Sequence, residues 1–499
     1  MPSVVTALLV GASEWLHGGG ATMTAGAIDV GSHRQLFLDN RFIAASENVT
    51  LRMNSPHRLG PVLLPEKPWE SHEIGFCTSV MEHEGEYWMF YRATSTDAGA
   101  GVCLAISRDG LHWERPSLGV AEFKGSRDNN IVFWDVGEAV VFFDPSGSQD
   151  ARFKAVVVLN WPDPERGGIY VFTSPDGIHW TRPERRVLPL VPDTANQAHW
   201  DWRLGKYVAY IRVWRPLRKV GRIEMDDILA PWPYDRSVEP YYIWGRDKVP
   251  VTSREVPVAF GFDESDPPDT DVYNPAAVQY PWAADAYFMF PSAYHHFPEP
   301  PVGAVPNDGL LDIQMAVSRD GVTFHRVSRD PYISLNIDGR KDSKQLYMAV
   351  GMLRRGDEIL QYYAGYETTH GGRRQKGAEH EPVGSICAAV QRLDGFVSAD
   401  FAYGGGRLLT PPLLFEGSRL ELNIDCSAMG RARVELRDAS GRPIPGFTLD
   451  DADVIYGNQP HATVTWRGKA DLAALAGKPV RLHVVARSAK LYAFQFLAT

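Results

Sequence analysis

No apolar run in this 499-residue chain reaches the ~18 residues that a bilayer-spanning helix needs. The stretch VVTALLVGA near the start is short and lacks a basic flank, so it makes a poor secretory signal. Residues 1–28 are expected to be a leader outside the fold, and the balance favours the cytoplasm over secretion. Cysteine is scarce: the four, Cys77, Cys103, Cys387 and Cys426, lie far apart, without a CxxC or Cys/His ligand spacing. That argues against structural zinc and for free, buried thiols, and neither a metal nor any other cofactor is expected. Excess basic charge is missing too. Lys and Arg number 51 against 61 Asp and Glu, a net charge of −10, so a nucleic-acid or anionic-membrane partner is not expected. There is no GxSxG elbow, Walker loop or dinucleotide fingerprint, which counts against acyl transfer, phosphoryl transfer and hydride transfer. Helical periodicity is also rare.

Aromatic residues are plentiful, with 14 Trp, 20 Tyr and 22 Phe. They sit in short β-branched runs bounded by Gly, Pro, Asp and Asn, the pattern of strands and hairpins. One heptad recurs: SRDGLHW from Ser107, SPDGIHW from Ser174 and SRDGVTF from Ser318. Catalytic motifs are rarely repeated within a chain, whereas turns are, and Asp-Gly supplies the positive φ of a two-residue hairpin. Each heptad follows a paired-strand segment of its own, such as CTSVMEHEGEYWMFYRA from Cys77. Two weaker copies, GRIEMDDILAPW from Gly221 and ICAAVQRLDGFV from Ile386, complete five units of four strands. The expected fold class is all-β: a five-bladed β-propeller over residues 29–403, followed by a β-sandwich over 407–499. QLFLDNRFI, from Gln35, is expected to close or cap the ring.

In such a fold the repeated heptads lie on the face away from the chemistry, and Asp109, Asp176 and Asp320 are turn residues. The site comes from residues just before each innermost strand and just after the next. Carboxylates stand at every such start: Glu70 and Glu73, Asp135 and Glu138, Asp193, Asp269 and Asp271, and Asp342. The catalytic candidates are Asp193, Glu73, Glu70, Asp271 and Asp342. The substrate-binding candidates are Arg92, Trp161, Asn196, Gln197, Arg212, Tyr273, Tyr294, Glu367 and His370. Carboxylates with aromatics and no metal-ligand spacing suit glycoside cleavage, where one acid protonates the leaving oxygen while a second carboxylate attacks or activates water. Arginine keeps one carboxylate ionised, and desolvation or a like charge raises the other.

Several stretches, LFLDNRFI, PVLLPEKPWE, SRDGLHWERPSLG with SRDNNIV, and DTDVYNPAAVQYP with MFPSAY, resemble bacterial proteins described as similar to glycoside hydrolase family 32. The tail, GRPIPGFTLDDADVIYGN with VTWRGKADLAALAGKPVRL, carries the same resemblance. It covers about residues 30–499 and implies a catalytic five-bladed propeller with an accessory sandwich. The WMNDPNG, RDP and EC segments of family 32 are absent here. By blade position alone, Glu70 or Glu73 takes the first-blade role and Asp193 the third. The resulting expectation is an exo-acting glycosidase on a furanoside or small glycan terminus, with a carbohydrate as its partner and either a retaining or an inverting outcome. Its rivals are a glycan phosphorylase on the same fold, a non-catalytic carbohydrate-binding propeller and a protein-binding scaffold.

Overall fold

The computed structural model describes residues 26–160, 163, 165–190, 192–214, 217–233, 241–244, 247–250, 256–299, 307–372 and 381–498. Its regular structure is β throughout, and the described residues hold short 3-10 turns but no α-helix.

The repeated heptads are tight turns. Ser107 Oγ accepts from Gly110 N at 2.9 Å, and Asp109 Oδ1 accepts from Leu111 N and His112 N, both at 2.8 Å. Ser174 with Asp176, and Ser318 with Asp320, repeat the arrangement. Bridges Ile106–Glu114, Thr173–Thr181 and Val317–His325 close the three turns. Gly110, Gly177 and Gly321 have φ of +75°, +73° and +72°, a region closed to most side chains. The glycines also dock each turn on the preceding sheet. Tyr362 donates to Gly110 O at 2.7 Å and Tyr210 to Gly321 O at 2.6 Å, while a Cβ on Gly177 would lie 2.9 Å from the Trp88 ring.

The strands follow in five successive groups. The first pairs Ser79–His83 and Glu73–Ile74 with Glu86–Ser95, then Gly99–Ser107 and Ile131–Trp134. Next come Ala139–Phe143, Phe153–Leu159 and Gly168–Ser174, and then Gln197–Asp201, Lys206–Trp214, Arg218–Met225 and Val258–Phe260. The fourth group is split. Ala277–Gln279, Tyr287–Met289 and Ala316–Ser318 form one small sheet, whereas Thr270–Val272, Ser292–His296 and Gly309–Ile313 run into the fifth group where Leu311 faces Gln345. The fifth comprises Gln345–Met348, Glu358–Tyr366 and Ser385–Arg392, and its outer strand is His57–Leu63 from far upstream.

Apolar packing links these groups in a cycle. Phe90 and Leu104 pack with Val141 and Val157, Val156 and Val171 with Ala209 and Ile211, and Tyr210 and Val220 with Tyr287 and Met289. Phe288 and Ile313 then pack with Tyr363 and Cys387, while Leu360 and Ile386 return to Met89 and Cys103. Cys77, Cys103, Cys387 and Cys426 are free and buried.

Two further six-stranded sheets share one core, with Phe415 stacked 3.9 Å from Phe496. Their strands come from both ends of the chain. Val397–Phe401 pairs with Ala489–Leu497 and with Val49–Met53, while Ile28–Gly31 and Ala45–Glu47 edge the other sheet. Gln35–Leu36 pairs with Ala489–Leu497 rather than with a strand of the five groups, and Phe37 and Phe42 bury against Phe494. The N-terminal strands thus complete the C-terminal sheets; Val30, Phe37 and Phe42 enter their core, while Leu36 and Leu38 pack with Phe288 and Tyr363 on the other side, and the upstream strand that joins the fifth group is His57–Leu63.

Candidate functional site

The backbone turns sharply just before the first strands of several groups. Cys77, Asp135, Asp193 and Ala276 have φ of 60°, 60°, 45° and 44°, and Thr194 has φ of 112°. A β-branched residue at such a φ is strained, and strain of this kind persists only where its surroundings enforce it. Here they do: Thr194 Oγ1 donates to Tyr273 O at 3.0 Å, and Thr194 O accepts from Asn196 N and Nδ2, both at 2.9 Å.

At this end of the strands lies a cavity of about 350 Å³, lined by Glu73, Arg92, Glu138, Tyr273, Tyr347, Tyr366 and His370 among others. Glu73 Oε1 accepts from the Tyr366 hydroxyl at 2.9 Å and lies 3.4 Å from Arg92 Nη1. Arg92 Nε donates to Gly137 O at 3.0 Å, beside Glu138. Burial opposes the charge on Arg92, but Glu73 and Glu138 outweigh it and hold the guanidinium above its ordinary pKa. Glu138 is pushed the other way for a carboxylate. Burial, then the negative charge of Asp193, raise its pKa, with Arg92 pulling back.

Asp193 borders the same site. Its Oδ2 lies 2.6 Å from Arg212 Nη1; Arg212 is buried, while the Asp193 side chain is 55% exposed. Arg212 Nη2 donates to Tyr273 O at 2.8 Å, and its guanidinium sits 4.5 Å above the Tyr273 ring. Tyr273 meets Phe76, Tyr294, Tyr347 and His370 edge-on, giving the cavity a rigid aromatic wall. Burial raises the pKa of Tyr273, Tyr347 and Tyr366, which keeps them neutral hydrogen-bond donors. Burial and then the nearby Arg218 and Arg212 push His370 down to about 4, so it is uncharged near neutrality.

The sequence candidates divide into three sets. Glu73, Arg92, Tyr273 and His370 line the cavity, with Asp193 and Arg212 beside them. Asp271 and Tyr294 lie behind Tyr273. Asp271 is buried 2.8 Å from Arg218 Nη1, and Arg218 sits 5.6 Å from the Tyr294 ring. Burial raises Asp271, but the His296 hydrogen bond and the Arg218 charge prevail and hold it below its ordinary value.

The third set is committed elsewhere. Glu70 is wholly buried and accepts from Glu66 N, Lys67 N, the Tyr91 hydroxyl and Arg115, which fixes the loop and leaves no free lone pair to react. Asp342 accepts from Tyr363 at 2.9 Å and Asn336 at 3.0 Å, and pairs with Arg58 of the closing strand. Asn196 holds Arg212 N at 3.0 Å, and Gln197 clamps both the N and O of Ala277 in the next sheet. Glu367 pairs with Lys341 at 3.0 Å. None of these five lines the cavity. They flank the strand ends as expected, but Gln197 is taken up by the neighbouring sheet and the other four by hydrogen bonds and ion pairs within their own strand groups and loops. Trp161 lies outside the described residues.

Glu138 stands immediately before the innermost strand Ala139–Phe143, and that position is the signal that singles it out from Asp135. Tyr347, Gln345 and Tyr366 were not expected; cross-strand pairing of Gln345 with Tyr366 brings them to the mouth. Among the described residues, no group of three or more His, Cys, Asp or Glu could hold a metal ion.

No family model and no curated protein matches the chain. Among solved structures it is similar to an exo-inulinase from Aspergillus awamori, at 12% identity and a TM-score of 0.39, over 89% of this chain and 98% of that one. It is also similar to a family 43 arabinoxylan arabinofuranohydrolase from Bacillus subtilis, at 12% and 0.36, over 88% and 99%. A third is an N-acetylgalactosamine deacetylase from F. plautii, at 14% and 0.45, over 69% and 96%.

Proposed function

We propose that the five strand groups are the blades of a β-propeller, that the two C-terminal sheets with the N-terminal strands form a β-sandwich, and that the protein is a glycoside hydrolase. The closed cycle of inter-sheet packing supports the ring, and His57–Leu63 in the fifth sheet supports its closure by an upstream strand. On this reading the propeller spans 57–392 and the remainder of the fold belongs to the sandwich.

The observation that carries the function is the pairing of unlike carboxylates at one mouth: Glu138 raised by burial and Asp193, against Asp193 held by Arg212. Glu138, pushed toward its protonated form by burial and by Asp193, is the group placed to donate to the leaving glycosidic oxygen. Asp193, paired with Arg212 and exposed, attacks the anomeric carbon or activates water. Glu73, held by Arg92 and Tyr366, completes the charge set around an oxocarbenium-like transition state. A cavity of about 350 Å³ is at the small end for ligand sites, which suits a single terminal sugar and exo action. The Tyr273 wall offers that ring an apolar face.

The test is a panel of aryl furanosides, aryl pyranosides and natural oligosaccharides, with the released anomer followed by proton NMR. Release in phosphate-free buffer supports a hydrolase, and the anomer formed first distinguishes retention from inversion. Release only with added phosphate makes it a phosphorylase, and binding without release makes it a lectin.

A further inference from the structure

We propose a second carbohydrate subsite, in the cavity between the inner-strand turns and the C-terminal sheets, that takes a neutral, hydroxyl-rich stretch of polysaccharide. This rests on the reading that the protein acts on carbohydrate. The cavity, about 870 Å³, is far larger than the one at the carboxylates. Trp202 and Arg203 enter it from the turn after Gln197–Asp201, Trp282 from the turn after Ala277–Gln279, and Gln495 from the C-terminal strand Ala489–Leu497. Asp193 precedes strand Gln197–Asp201 and Trp202 follows it, so the two sites are separated by roughly the 17 Å of a five-residue strand.

Trp202 is the strongest indication. Its turn is built without its side chain, since Asp201 Oδ1 accepts from Arg203 N at 2.9 Å and Leu204 N at 3.1 Å. Yet a large indole stands there 53% exposed, an apolar face that burial against a sugar ring would cover. Trp282 lies edge-on to Tyr280 at 5.1 Å, which holds its ring in place.

The polar lining favours a neutral ligand over an anion. Arg34 is held by Asp394 at 2.7 Å, Arg203 donates to Arg319 O, Arg354 donates to Gly356 O at 2.8 Å, and Asp285 is paired with Arg41. With the carboxylates Asp29 and Glu416 opposite Arg203 and Arg354 in the lining, neither sign of charge dominates, and neutral hydrogen-bonding capacity is available beside them. Gln279, 7% exposed, gives its amide N–H groups to Asp201 and Tyr287, and among the described residues nothing is paired with its Oε1.

Native affinity electrophoresis of the full chain in gels cast with inulin, branched arabinan or arabinoxylan tests the proposal. The wild type should be retarded in at least one gel. Glu138→Gln should keep that retardation, while Trp202→Ala should lose about tenfold in apparent affinity, the size of one aromatic anchor. Trp202→Phe should recover part of it, and Trp202→Ala should turn over a small aryl glycoside as the wild type does. Three results would overturn the proposal: no retardation in any gel, Trp202→Ala retarded like the wild type, or retardation lost with Glu138→Gln but kept with Trp202→Ala. Failure of the hydrolase reading is separate, because it leaves retardation in place and removes sugar release.

Discussion

Arg212 Nη1 lies 2.6 Å from Asp193 Oδ2, joining a buried guanidinium to a carboxylate that remains half open to the cavity mouth. The same carboxylate acts on Glu138, whose proton it helps to retain. Replacing Asp193 by Asn removes that negative charge while keeping an acceptor for Arg212. The Glu138 pKa should therefore fall toward its ordinary value, which a carbon-13 NMR titration of the glutamate carboxyls reads directly. A Glu138 titration unchanged in Asp193→Asn would show that the two groups are not coupled.

Glu138 should also make the fold pH-sensitive. Its pKa is raised on folding, so its contribution to stability is fully present below the unfolded pKa and is lost as pH rises through the folded one. Glu138→Gln carries no ionisable group there. The variant should be more stable than the wild type at neutral pH, and the gap should close on acidification below the ordinary carboxylate range. Urea midpoints of the two proteins across pH check this, and a gap that stays constant with pH contradicts it.

Glu70 should behave as a structural residue. Glu70→Ala removes the buried partner of Arg115, whose side chain is only 8% exposed and keeps the exposed Glu66 and Leu64 O, and it also removes the acceptor for Tyr91. Breaking a buried pair from one side costs about 3–5 kcal/mol. Denaturant unfolding should show that loss, while the variant that remains folded keeps its turnover number on the best substrate.

The repeated heptad gives a matching prediction on the far face. Gly110 has φ of +75°, and a Cβ there would lie 2.5 Å from Leu360 Cδ1. Gly110→Ala combines left-handed strain with an overlap against the strand Glu358–Tyr366 on which the turn docks, about 2–4 kcal/mol together. Thermal unfolding should shift accordingly, with activity per folded molecule unchanged.

The heptads show why much of the fold could be read from the sequence. A turn that needs Ser, Asp and Gly at fixed offsets leaves the same letters wherever it recurs, as at Ser107, Ser174 and Ser318. Strand pairing over long separations leaves no such trace. Nothing local announces that His57–Leu63 joins Ser385–Arg392, or that Gln35–Leu36 joins Ala489–Leu497. The site was legible only in part for a related reason. Glu70 and Glu73 are three residues apart and equally acidic, but one turns into a buried knot with Arg115 and the other faces the cavity beside Tyr366. Position along the strand pointed to one end of the molecule, and side-chain direction separates the acid that faces the cavity from the acid bound in the knot.

The most direct measurement of the central claim is sugar release by the wild type and Asp193→Asn on the same substrate, followed by proton NMR. The account predicts that the wild type releases a single anomer first, and that Asp193→Asn slows release by about 10²–10⁴-fold, the worth of a positioned catalytic group, with its melting transition retained. Equal rates from the two proteins would contradict it.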